Sequence, residues 1–216
     1  MSFPPPTQDV ILRAARGFSN LFWSLPLLLL AQAVTLWGLL PPYITALLLP
    51  LCFLPLITGL HMTRPSHGPS PQGAWALLAV AMALSPFLSW WSQAPAHLYF
   101  AANVVAHSVV LLLLLLALDH HAARFAASMG ENGLRREANA GFGMVLWLGV
   151  CTLSALVWLF YRSGILAAGL DATLMQLSLL PSEARYLFLL PYIMTAYVLW
   201  RTKETAFRRA SSTPAA

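Results

Sequence analysis

The chain has 216 residues, 59% of them hydrophobic and 9% charged, with a mean hydropathy of +0.70 and a formal net charge of +5. A soluble domain carries roughly 25% charged residues, so this composition excludes an ordinary soluble domain. The positive balance would point to nucleic acid in a soluble protein; here the basic residues end apolar stretches, where they set orientation against a membrane, and no nucleic-acid partner is expected.

Residues 1–20 read as an amphipathic cytoplasmic leader. Pro4, Pro5 and Pro6 keep its start extended. Thr7 suits a helix cap with Asp9 in the first turn, and Val10, Ile11, Ala14 and Ala15 oppose Arg13 and Arg16. Gly17 to Asn20 are expected to bend the chain into the first span, 21–40, which contains Pro26. A signal-peptide pattern lies across this region, ending in Ala31-Gln32-Ala33. Because the apolar stretch continues through Leu40, cleavage after Ala33 is not expected.

Pro41 and Pro42 turn the chain into a second span, 43–60, with Pro50 and Pro55. Residues 61–73 are rich in Pro, Gly, Ser and His and read as a loop. The third span, 74–91, contains Pro86, and a short polar turn leads to the fourth, 97–118. That fourth segment holds the longest apolar run, Val109 to Leu118, and its helix is expected to continue to about Ser128. Gly130 and Asn132-Gly133 then end it with turn chemistry. Leu134 to Ala140 form a charged return before the fifth span, 141–161. In the stretch 162–181, Leu166, Leu170, Leu174 and Leu177 recur at helical spacing, as in a helix lying on the membrane surface. The sixth span runs from about 182 to 200 with Pro191 inside, and 203–216 read as a basic, partly disordered cytoplasmic tail.

A transmembrane helix needs about 20 apolar residues, so the predicted fold class is all-α: a polytopic bundle of six transmembrane helices over 21–202. The spans with proline should be kinked, leaving the fourth and fifth as the straight central pair. With both termini on one face, ten of the twelve basic residues fall on that face and only Arg162 and Arg185 on the other. This asymmetry predicts cytoplasmic termini and a plasma membrane, in a bacterium the inner membrane. Trp23, Trp75, Trp147 and Trp200 then fall toward the inner interface, and Trp37, Trp90, Trp91 and Trp158 toward the outer.

Two short stretches recur. Gly17-Phe18-Ser19-Asn20-Leu21-Phe22-Trp23 resembles Gly141-Phe142-Gly143-Met144-Val145-Leu146-Trp147, and Phe53-Leu54-Pro55-Leu56-Ile57 resembles Leu189-Leu190-Pro191-Tyr192-Ile193. They would make spans one and two a parallel duplicate of spans five and six, an arrangement found in transporters. The small alphabet of membrane helices gives the same match by coincidence.

No apolar span core contains Asp, Glu, Lys or Arg, and no H-E-x-x-H, aspartate pair or phosphate loop is present. No catalytic residue, metal site or cofactor is therefore assigned, and Cys52 and Cys151 read as small mid-span hydrophobes. His107 lies within the fourth span, four residues after Asn103, and these two form a candidate intramembrane polar site beside Ser108. Glue between packed helices is the plainer reading of such a group. Asp119, His120 and His121 form a candidate edge site at the cytoplasmic end of that helix, where polar residues mark the exit from lipid. His107 and His121 are fourteen residues apart, about 21 Å along one helical face. That would suit paired haems only if a second helix brought matching ligands.

The leading functional expectation is a non-enzymatic membrane component, transport-related or a partner subunit, in contact with the lipid bilayer and with a membrane-protein partner or further copies of itself. The alternatives are an intramembrane enzyme acting on a lipid or peptide, and a haem- or quinone-binding membrane protein.

Overall fold

The computed structural model describes residues 8–64, 71–94, 97–163 and 189–212, and every element within them is helical. We number the helices α1 (Gln8–Leu36), α2 (Pro42–Leu51), α3 (Leu54–Met62), α4 (Gln72–Leu84), α5 (Pro86–Gln93), α6 (Leu98–Ser128), α7 (Asn132–Ser163) and α8 (Leu190–Ser212). They make six rods, because α2 with α3 and α4 with α5 are each one apolar stretch broken by proline. Pro50 and Pro55 flank the break at Cys52 and Phe53, and Pro86 makes the break at Ser85. Four stretches are long and apolar enough to cross a membrane: Gln8–Leu36, Pro42–Met62, Gln72–Gln93 and Leu98–Ser128. The expected surface helix over 162–181 and the start of the sixth span lie outside the described residues, apart from the last turn of α7.

The expected bend at Gly17 to Asn20 does not occur. The leader and first span form one continuous α1, with Asp9 in its first turn. Gly17 serves close approach instead. A Cβ built on it would lie 2.9 Å from the Gly59 carbonyl oxygen and 2.7 Å from Thr63 Cγ2. A Cβ on Gly59 would lie 2.7 Å from the Leu21 side chain and 2.9 Å from the Gly17 carbonyl oxygen. Small residues at these positions let the two helix backbones approach closely.

α1 ends at Leu36, four residues short of the expected boundary, because Gly38 adopts φ 63°. The Leu39 N–H donates to the Val34 carbonyl (3.1 Å) and the Gly38 N–H to the Thr35 carbonyl (3.2 Å), closing the helix in a Schellman turn. Gly130 (φ 74°) ends α6 in the same way, through Glu131 N–H to Ala126 and Gly130 N–H to Ala127. Here the turn residue and the Ser128 end agree with the sequence reading. The charged return at 134–140 belongs to the opening turns of α7.

α6 is central, packing against α7, α4, α8 and α5. The second hub is α1, which packs against α8, α3, α2 and α5; α7 touches chiefly α6 and α8. Of the expected central pair, span four is central as α6, while the place expected for span five is taken by α1. Met144, Leu146, Trp147 and Val150 of α7 are exposed, whereas Phe18, Leu21, Leu25 and Leu28 of α1 are buried. Proline inside α1 did not remove it from the core, since Pro26 lies within an unbroken helix. Of the expected aromatic belts, Trp23, Trp37, Trp90, Trp147, Trp158 and Trp200 are exposed, but Trp91 is buried among Ala31, Leu49 and Leu88.

Most of the tail is helical, and its last residues, 213–216, lie outside the described residues. α8 continues to Ser212, and Ala206 and Ala210 pack with Ile11 and Ala15 of α1. The Gln8 side-chain amide donates to the Ala210 carbonyl at 2.7 Å. Arg201 binds Glu137 through two hydrogen bonds of 3.0 Å, and Arg209 pairs with Glu131 at 3.2 Å while also donating to the Met129 carbonyl. Arg201 and Arg209 thus fix α8 to the start of α7.

The hydrogen bonds from Arg201 hold the Glu137 carboxyl below the ordinary glutamate value of 4.5. A folded value depressed in this way stabilises the fold above the ordinary value, and the contribution is lost as pH falls through the folded value. Glu137→Gln is therefore expected to lower the melting temperature slightly at neutral pH and to converge with the wild-type chain as pH falls, because the contribution it removes is already lost in acid. The pair is half-exposed, so its whole effect should stay within about 1 kcal/mol. Melting curves at stepped pH for both chains check this.

Candidate functional site

The polar residues of α6 do not share one site. Asn103 is half-buried and donates to its own helix at the Tyr99 carbonyl (2.8 Å), and Ser108 donates to the Val104 carbonyl (2.9 Å). Neither bonds His107. The expected patch of Asn103, His107 and Ser108 is not a connected group.

His107 is 3% exposed, and neither ring nitrogen has a formed hydrogen bond. Its ring lies edge-on to Phe53, 6.4 Å between centroids, at the break between α2 and α3. On its other side it approaches the Ala81 carbonyl of α4, outside the geometry of a formed hydrogen bond. That carbonyl is available for a physical reason. The Ser85 N–H, which would close the helix turn on Ala81, bonds the Met82 carbonyl (3.3 Å) because Pro86 interrupts the helix. The one histidine inside the leucine-rich span therefore faces both broken rods at or near their breaks.

Asp119, His120 and His121 diverge, as adjacent positions on a helix must. Asp119 is wholly buried, and Thr195 of α8 donates to its Oδ2 at 3.2 Å while Oδ1 has no partner. His121 is 9% exposed; its Nε2 lies 2.9 Å from Thr63 Oγ1, beyond the end of α3. The Thr63 hydroxyl is directed at the Leu60 carbonyl (3.2 Å), which assigns Nε2–H as the donor to Thr63. The His121 ring also stacks on Phe18 of α1, 5.8 Å between centroids. His120 is exposed beside Phe142 of α7. The edge reading thus suits His120 alone, while Asp119 and His121 are interior residues.

This arrangement limits the chemistry. Among the described residues no three His, Cys, Asp or Glu side chains cluster as metal ligands, and Cys52 and Cys151 are both free. His121 engages Nε2 with Thr63, which leaves only Nδ1 of that ring without an assigned partner. What α6 offers is a pair of buried polar bonds to two different helices: Asp119 to Thr195 of α8, and His121 to Thr63 beside α3.

Those two helices correspond in the internal resemblance. Gly17 packs on Met62, seven residues after Pro55, and Gly141 packs on Val198, seven residues after Pro191. The Cβ that Gly17 lacks would lie 2.9 Å from Met62 Cβ, and the one that Gly141 lacks would clash with Val198 Cγ2. Matched glycines therefore make matched close contacts in α1–α3 and α7–α8, and α6 bonds to both units. Thr63 and Thr195 were not singled out from the sequence. A threonine in or at the end of an apolar stretch is their only signal, and it is shared by Thr35 and Thr202, which bond their own helices, and by Thr45, which donates to Pro42 on its own helix and pairs with Ser89 of α5.

The described helices define an all-helical chain with four stretches able to cross a membrane. No known protein family, curated protein or solved structure matches it.

Proposed function

We propose that the chain is a multi-pass protein of the plasma membrane, with six spans and both termini cytoplasmic, and that it is a non-enzymatic, transport-related component. In this reading α1–α3 and α7–α8 are two like units in contact with α6, and movement of one unit against the other exposes the polar side chains of α6. One observation carries the proposal: α6 bonds both units through buried polar side chains, Asp119 to Thr195 and His121 to Thr63. Broken rods beside a buried polar side chain support it further, since discontinuous helices line solute sites in transporters.

The test begins with purification in mild detergent and mass spectrometry of whatever remains bound. A stoichiometric membrane partner makes the chain a subunit, and a lone species makes it a self-contained unit. In either case His107→Ala is expected to leave the fold intact and to change assembly or solute uptake several-fold. A lipid- or peptide-cleaving turnover abolished by His107→Ala, with the fold intact, would contradict the proposal and favour an intramembrane enzyme.

A further inference from the structure

Asp119 is wholly buried at the contact of α6 with α8, and a single hydroxyl, that of Thr195, serves its carboxyl group. The charged groups on the surrounding helices are engaged elsewhere or exposed. Arg201 of α8 binds Glu137 of α7, and Lys203 pairs with Glu204 on α8 itself. On α1, Arg13 and Arg16 are exposed, as are His61 of α3 and Arg124 and His120 of α6. His121 faces Thr63, and α4 and α5 carry no titratable side chain. None of the ion pairs among the described residues includes Asp119.

An isolated carboxylate is not tolerated in such a place without a cation. The oxygens at hand, two from Asp119 and one from Thr195, are too few to replace the hydration shell of a metal cation. A proton needs only one of them. The unpartnered Oδ1 is the atom free to carry it, because Oδ2 already accepts from Thr195.

We propose that Asp119 is a proton-binding site, holding a proton on Oδ1 while α6 and α8 are closed and releasing it when that contact opens to water. On release the O–H bond of the acid breaks, its electron pair stays on Oδ1 and the proton passes to a water molecule. The carboxylate so formed is hydrated and cannot return to the closed contact until it is protonated again. Proton occupancy and the closure of α8 on α6 are thereby coupled. The inference goes beyond the transport proposal and does not need it, since the site binds a proton whether or not a solute moves.

The test is infrared spectroscopy of the whole chain in lipid at neutral pH, with isotope-labelled aspartate. The expected result is a carboxylic-acid carbonyl band that shifts with the label and disappears completely in Asp119→Asn. Asparagine is close in shape to the neutral acid, so this variant should keep the wild-type fold. Should it not fold, an apolar carbodiimide on the wild-type chain replaces it. The reagent adds to the protonated acid, and mass spectrometry is expected to find the adduct on Asp119, declining as pH rises. An aspartate spectrum containing only carboxylate bands would overturn the proposal. So would an acid band that persists in folded Asp119→Asn, or adducts confined to other carboxyl groups.

Discussion

Gly59→Leu is expected to destabilise the folded chain by about 3 kcal/mol, the upper part of the range for overpacked sites. The reason is the approach of α1 to α3. The first carbon added at position 59 meets the Leu21 side chain at 2.7 Å and the Gly17 carbonyl oxygen at 2.9 Å. Leu21 can rotate away, but the carbonyl belongs to the backbone of α1 and moves only with that helix. Truncating the neighbour should therefore rescue only part of the loss. Gly59→Ala with Leu21→Ala is expected to remain less stable than Leu21→Ala alone. Gly133→Leu, where nothing lies within 4 Å, serves as the control and should be nearly neutral. Denaturant or thermal unfolding in one detergent measures all four. A Gly59→Leu chain as stable as the control would mean that α1 and α3 do not pack in this way.

Phe18→Ala should cost about 4 kcal/mol, in the range for a buried phenylalanine. Phe18 is wholly buried where α1 meets α6, with its ring 5.0 Å from Phe125 and 5.8 Å from His121. Removing it opens a cavity between the hub helices and takes away the face on which His121 rests. Phe18→Leu, which keeps most of the volume, should recover more than half of the loss. If Phe18→Ala cost less than about 1 kcal/mol, the site would be an exposed one, and the placement of α1 against α6 would be wrong.

The sequence made some of this legible. The length of α6, its end near Ser128 and the turn at Gly130 could be read from an apolar run followed by a glycine. So could the number of rods and the breaks near Pro50, Pro55 and Pro86, but not that Pro26 leaves its helix unbroken. Gly17 was misread because glycine has two uses, and only the partner helix decides between them. The signature for bending and the signature for close approach are the same residue. Asp119 was misread for a related reason. Directly after a leucine run it looks like the exit from lipid. Its burial depends on Thr195 of α8, which lies 76 residues further along the chain. His107 was found because an imidazole amid leucines stands out. Its environment was not, because it depends on a carbonyl freed by Pro86 on another helix. The internal resemblance gained weight once matched glycines, Gly17 and Gly141, were seen to touch matched positions.

The most direct test of the account is two-sided cysteine labelling in sealed membrane vesicles. Cys52 and Cys151 are first replaced by alanine, and single cysteines are then placed at Leu39, Gly73, Gln93 and Gly133, all exposed at the ends of the rods. An impermeant reagent is expected to label the cysteines at positions 73 and 133 only from the cytoplasmic side, and those at positions 39 and 93 only from the opposite side. Labelling of all four from one side, or of Leu39 and Gly73 from the same side, would contradict a bundle that crosses the membrane between these ends.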